Sequence, residues 1–260
     1  MLVPLPQGPA LQHTTLSPVR ISRIYTDAPL QSGQQLGLDE KSSHHLSRVL
    51  RHKVQDQLVL FNGDGREYQA VISSIDKKQV VVSVGSYSAP CTESYLQIHL
   101  GIAMSKGDRM DWVLQKSTEL GVTAIYPLVT ERTELKLKGD RLDKKLAHWR
   151  QVIISACEQC GRNILPSLHH PVTSQQWSES IEADRKLVLH HRGAESIDSP
   201  ASVGSVALLI GPEGGLSVEE IAHAQKQKFQ ALTLGPRVLR TETAPLAAIS
   251  VLQYVWGDFK

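Results

Sequence analysis

The sequence predicts an α/β fold, a mostly parallel sheet with helices on both faces, preceded by a small all-β unit. Short strands and tight turns fill the chain to about residue 86, and strand-helix-strand alternation then runs to the C-terminus. With 260 residues, 41% hydrophobic and 21% charged, the chain is long enough for two modest hydrophobic cores.

In the front part, the run Leu58-Val59-Leu60-Phe61, the turn Asn62-Gly63-Asp64-Gly65, alternating Tyr68, Ala70 and Ile72, and the run from Val80 to Val84 read as consecutive antiparallel strands. Asn-Gly and Asp-Gly tolerate the positive φ that a tight hairpin needs. A helix is predicted over 39–50, with Leu46, Val49 and Leu50 on one face. The expectation is a small barrel carrying a basic helix, with the linker at 87–94 around Pro90.

Beyond the linker, a strand at 96–102, a helix at 108–120 stopped by Gly121 and a strand at 122–129 make a βαβ unit. Further helices are predicted at 141–160 and 217–228, and strands at 186–190, 206–210 and 231–234. The last helix, 245–256, is apolar nearly all round, which requires burial within the domain or against a second copy of the chain.

Three unevenly placed cysteines, Cys91, Cys157 and Cys160, do not make a disulfide framework and point to a reducing, cytoplasmic setting. No apolar run is long enough to span a membrane, and residues 1–19 carry four prolines without the grammar of a leader. They are expected to be a flexible extension. Net charge is only +2, but Lys41, Arg48, Arg51 and Lys53 cluster with three histidines against Asp39 and Glu40, a distribution suited to phosphate backbones.

The most informative local feature is the strand Leu208-Leu209-Ile210 running into Gly211-Pro212-Glu213-Gly214-Gly215, after which Ser217 and Glu220 form a capping box. Glycines at the carboxyl end of a strand let a ligand approach backbone closely. The loop matches neither G-x-x-x-x-G-K-[ST] nor G-x-G-x-x-G, so phosphate transfer and nicotinamide chemistry lose ground. A tight structural turn and a cofactor loop both remain open. A second loop, Leu234 to Ala244, places Arg237, Arg240 and Glu242 just before the last helix. There, a structural Arg-Glu pair with a Thr243 cap competes with a functional role.

Those two loops, IGPEGGLS and LGPRVLRTETA, together with QKSTELGV (Gln115 to Val122) and ACEQCGR (Ala156 to Arg162), resemble the RsmE-type methyltransferases of the SPOUT superfamily. The front segments RISRIY, HLSRVLR and LFNGDGREYQA are similar to that family's PUA-like barrel. The resemblance covers the chain from Arg20 onward. Gln55 stands where the family often has glycine, and Leu216 where it often has phenylalanine.

The resemblance implies a trefoil-knotted SPOUT domain over 95–260 behind a PUA-like RNA-binding domain over 20–88, in a homodimer. It also implies S-adenosylmethionine-dependent methylation of N3 of a uridine in 16S ribosomal RNA, on the assembled 30S subunit. S-adenosylmethionine would lie among Leu189 and His190; Gly211, Glu213, Gly214 and Gly215; and Leu234, Gly235, Val238, Leu239, Arg240 and Thr243. Arg240 as a stabilising cation and Glu242 as proton acceptor or orienting partner are the catalytic candidates. Arg20, Arg23, Arg48 and Arg51 on the front domain, with Lys106, Arg109, Arg132 and Arg162 behind, are the candidate RNA grips.

A non-catalytic RNA-binding protein with a degenerate methyltransferase domain is the rival reading. The Cys157-x-x-Cys160 spacing lacks a second pair, and the doublets His44-His45, His169-His170 and His190-His191 put neighbours on different faces, so no metal is expected.

Overall fold

The computed structural model describes residues 21–77, 79–135, 137–190 and 203–259; the expected extension 1–19, Arg20 and His191 lie outside them. The front sheet comprises β1 (Ser22–Tyr25), β2 (Gln35–Gly37), β3 (Gln57–Phe61), β4 (Glu67–Ile75) and β5 (Val80–Ser88), in the order β1-β3-β4-β5-β2. Inward residues such as Leu58, Leu60, Tyr68, Ile72, Val82 and Val84 form its core, as strand alternation dictates. The expected antiparallel run is β3, β4 and β5, while β1 pairs parallel with β3, and among the described residues no ladder joins β1 to β2.

The basic segment is α1 (Glu40–His44), capped by the Asp39 carboxylate accepting from the Ser42 N–H at 2.9 Å, and it runs on into a π-helical turn at His45–Val49. Leu46 is buried beneath it, while Arg48, Arg51, Val49 and Leu50 face solvent. The linker is shorter than expected because β5 continues through Tyr87 to Ser88.

The second sheet is wholly parallel: β12 (Gln230–Leu232), β10 (Arg185–Leu189), β11 (Ser205–Ile210), β6 (Gln97–Ala103), β7 (Ala124–Val129) and β8 (Ser167–Leu168), with β9 (Val172–Thr173) also on β7. Its central strands β6 and β11 are buried on both faces. Leu208 and Ile210 point to α2 (Asp108–Glu119), α3 (Asp140–Cys160) and α6 (Thr243–Trp256); Ala207 and Leu209 point to α4 (Ser174–Ser180) and α5 (Val218–Lys226). At the second layer, a Cβ on Gly101 would stand 2.6 Å from the Trp177 ring, so glycine lets β6 and α4 meet.

The last helix is not buried all round. Ala248, Ile249, Leu252 and Trp256 join the core, and the fully buried Gln253 ties Ser94 to Leu120, but Tyr254 is 68% and Val251 37% exposed.

The two sheets are bound together by side chains of β1 and α3. Arg23 donates to Glu67 and Asn163, each at 2.5 Å, and lies over the Phe61 ring. The Tyr25 N–H donates to the Glu158 carboxylate at 3.0 Å, and Arg150 donates to Asp27 at 2.6 Å. Phe61 and Tyr25 pack into the second core, so apolar burial reinforces the polar contacts.

Candidate active site

A cavity of about 290 Å³ opens at the carboxyl ends of β10, β11 and β12, where open α/β sheets receive ligands. Three loops meet there. The first ends β10 with Leu189 and His190, whose N–H donates to Leu232 O at 3.0 Å and whose carbonyl accepts from the Thr233 hydroxyl. The second is the 211–215 loop, closed by the Gly215 N–H donating to Pro212 O at 2.8 Å with Gly215 at φ 70°. Any Cβ on Gly211 would lie 2.9 Å from Leu216 Cγ, so the loop folds against its own exit only as glycine. The third loop contributes Leu234, Arg237, Val238, Leu239 and Thr241.

Buried glutamate chemistry fixes the second loop. Ser217 and Glu220 form the expected reciprocal capping box, and the Glu220 carboxylate also accepts from the Glu131 N–H at 3.1 Å and the Ser174 hydroxyl at 3.0 Å. That carboxylate ties the loop at 131, α4 and α5 together. Arg132, thereby held beside the cavity, donates to Gly214 O at 2.6 Å.

Of the expected cofactor residues, Leu189, His190, Gly211, Glu213, Gly214, Gly215, Leu234, Val238 and Leu239 line this cavity; Gly235, Arg240 and Thr243 do not. Arg132, expected as an RNA grip, lines it too, and Ile210, Pro212, Leu216, Leu232, Arg237, Thr241 and Ala244, not among the expected cofactor residues, complete the wall. Ile210 and Leu216 flank the glycine run and were findable as its apolar neighbours. Thr241 and Ala244 carry no distinguishing local signal.

Arg240 and Glu242 line an adjoining cavity of about 310 Å³ with Arg109, Glu213, Val238, Leu239 and Thr241. The structural alternative for them fails on geometry. No ion pair among the described residues joins Arg240 to Glu242, and the helix cap is Glu242, with no side-chain cap bond and Thr243 already helical.

The expected RNA grips separate into two groups. Arg48 and Arg51 are exposed; Lys106 is exposed and paired with Glu134 at 2.7 Å; Arg109 pairs with Glu213 at 2.5 Å. Arg162 and Arg23 are withdrawn from the RNA-facing set. Arg162 is 5% exposed, forks onto Glu93 and donates to the carbonyls of Thr118 and Val122, each at 2.9 Å. Arg23 is engaged between the two sheets.

Cys157 is buried in α3, and burial, against the charge of Arg162, pushes its thiol up to about 12. Such a thiol stays protonated at neutral pH. Among the described residues, no three His, Cys, Asp or Glu side chains are grouped to hold a metal, and no helix is long and apolar enough to cross a membrane.

Residues 92–253 match the RNA methyltransferase domain family, and residues 38–85 match the RNA methyltransferase PUA domain. Ribosomal RNA small subunit methyltransferase E of Buchnera aphidicola (Acyrthosiphon pisum) is 35% identical over 249 residues, spanning 95% of this chain and 98% of its own. This chain belongs to the ribosomal RNA small subunit methyltransferase E family.

Solved structures of methyltransferases agree in fold. A Legionella pneumophila methyltransferase in complex with bound SAM superposes at TM-score 0.90 with 47% identity, covering 93% of this chain and 100% of that one. The Neisseria gonorrhoeae ribosomal RNA small subunit methyltransferase E bound to S-adenosyl methionine gives 0.84 and 38%, over 92% and 100%. In this methyltransferase two of the three loops that build the carboxyl-end cavity are those that carry the resemblance.

Proposed function

We propose that this chain transfers a methyl group from S-adenosylmethionine to N3 of a uridine in 16S ribosomal RNA, acting in the cytoplasm on the assembled 30S subunit. The observation that carries the reading is the meeting of the 211–215 and 234–241 loops in one cavity at the carboxyl ends of three strands. Its wall suits an adenosyl sulfonium: apolar side chains of Leu189, Ile210, Leu216 and Leu239 surround backbone polar groups, and the charged side chains among the described lining residues are Arg132, Arg237 and Glu213. When bound, S-adenosylmethionine supplies an electrophilic methyl group on a sulfonium.

The chain's own residues then have to align, shield and manage a proton. Aligning acceptor and donor supplies about 7 to 11 kcal/mol of barrier reduction in well-oriented displacements. Uridine N3 lies on the pairing edge and carries a proton, so the base is taken unpaired. Glu242 receives that proton, and the Arg240 guanidinium stabilises the charge that develops on the base, both from the adjoining cavity. Arg48 and Arg51, with the exposed Lys41 and Lys53, hold RNA phosphates on the front unit.

We assign the division into domains at 20–88 and 95–260, a knotted C-terminal segment and a homodimer to the same proposal. The knot is supported by the path of the chain, which passes from β11 beyond β10 to β12 before α6 returns to the core beside α2. The homodimer is supported by exposed Val251 and Tyr254 on α6 and by Val238, 80% exposed at the cavity rim.

A thermal-shift series tests the donor. Stabilisation by S-adenosylhomocysteine and not by Mg-ATP is expected; indifference to both favours an RNA-binding protein with a degenerate domain. Mass-spectrometric mapping of ribosomal RNA from a strain lacking the protein tests the product, with loss of one 3-methyluridine expected.

A further inference from the structure

We propose that the adjoining cavity is the acceptor-nucleotide site, that Arg109 grips a phosphate of the extruded pyrimidine nucleotide at its mouth, and that Glu213 serves as the positioning residue for Arg109 rather than as a donor ligand. The inference rests on the methyl-transfer reading, which sets the base beside Arg240 and Glu242, and adds to it a phosphate grip and the residue that positions that grip.

The cavity, about 310 Å³, shares Glu213, Val238, Leu239 and Thr241 with the donor cavity, so the two are contiguous along these residues. That contiguity is what an in-line displacement between two bound partners requires. Val238 and Leu239 offer an apolar surface for a base face. Arg240 and Glu242 offer one donor and one acceptor for a pyrimidine edge whose carbonyls accept and whose imide N–H donates.

Arg109 stands apart from these. It is the second residue of α2, its side chain is 48% exposed, and its partner is Glu213, 104 residues away on the glycine loop. A cation at the solvent edge of a base pocket meets the part of a nucleotide that stays solvated, its phosphate. The Glu213 carboxylate is 2.5 Å from Arg109, so its charge is already balanced by a side chain of the second cavity. The same bond links the donor loop to the acceptor grip, so an ordered donor loop sets Arg109 in place.

The test uses the full-length protein, 30S subunits from a strain lacking it, and S-adenosylhomocysteine. Arg109→Ala is expected to raise KM for subunits about 10- to 100-fold, the loss of one charge-assisted phosphate contact, with kcat and S-adenosylhomocysteine Kd within about twofold of wild type. Arg109→Lys restores part of the loss, because charge returns without the fork. Glu213→Gln raises KM in the same sense, and Arg109→Ala adds little in that background.

Unchanged KM in Arg109→Ala overturns the assignment of Arg109. Weakened S-adenosylhomocysteine binding in Glu213→Gln, with additive effects in the double variant, returns Glu213 to the donor. A wild-type protein that binds no S-adenosylhomocysteine and methylates no subunits overturns the functional reading itself, a result separable from both.

Discussion

Removing the Glu220 carboxylate is expected to loosen the donor cavity from behind without touching any ligand. Glu220 is 4% exposed and accepts from the N–H groups of Ser217 at 2.9 Å and Glu131 at 3.1 Å, and from the Ser174 hydroxyl at 3.0 Å. Glu220→Ala leaves these three donors facing a small void. Each buried donor left unpaired costs roughly 1–3 kcal/mol, and rotation of the hydroxyl and entry of water recover part of that. A net loss of about 3 kcal/mol follows, or about 6–12 °C in Tm for a chain of this length.

Glu220→Gln keeps one oxygen for Glu131 and Ser174 but turns an amide donor toward the Ser217 N–H, so a smaller loss of about 1–2 kcal/mol is expected. Denaturant titration of wild type and both variants gives the ordering, and calorimetry with S-adenosylhomocysteine reads the cavity. Because Glu220 holds the backbone next to Arg132, which donates to Gly214 O, affinity should fall along with stability. An alanine variant within about 0.5 kcal/mol of wild type, the range of ordinary surface substitutions, would refute the account of this network.

Arg162→Ala should cost about 3–5 kcal/mol by stranding Glu93, yet leave the salt dependence of RNA binding unchanged, whereas Arg48→Ala and Arg51→Ala should each lower the salt slope by about one with little effect on stability. Burial raises the Glu158 carboxyl above its ordinary value, only partly opposed by the Tyr25 N–H and by Lys41. The folded state therefore binds more protons than the unfolded one between those two values, and this group's contribution falls as pH rises through that window. Glu158→Gln, which keeps an acceptor for Tyr25, should flatten the urea-derived stability profile there and be more stable at neutral pH. Gln55 sits at φ 77°, in the left-handed region, so Gln55→Gly should relieve about 1–2 kcal/mol of strain and return about 0.5–1 in chain entropy, a small net gain measurable as a raised denaturation midpoint.

Which features could be read from sequence follows from the range over which each is determined. The parallel sheet was legible because strands buried on both faces are written as continuous apolar runs, as in Leu208-Leu209-Ile210, and because Gly121 and the Ser217-Glu220 box mark helix ends locally. α4 was missed although Thr173 and Gln176 form a capping box, since Trp177 and Ile181 alone give a seven-residue helix too little periodicity. The pairing of β1 was not legible, because four residues carry no record of the partner strand, which lies more than thirty positions away at Gln57–Phe61.

The arginines show the same limit more sharply. Arg23, Arg162, Arg109 and Arg132 are alike as sequence, and what separates a structural clamp from a ligand grip is the partner, 140, 69, 104 and 82 residues distant respectively. Glycine loops escape this limit, because the need for close backbone approach is expressed in the residue itself. The Gln55 position joins the two cases: its left-handed φ is a local backbone demand, so it was visible as a departure from the family's glycine, while the physical reason lay in the turn that returns the chain to β3 with the Gln55 N–H bonded to Ile72 O at 2.9 Å. A backbone bond that forces a non-glycine residue into that region persists only where the surrounding sheet determines it, and the front sheet's core at Leu58 and Ile72 does so here.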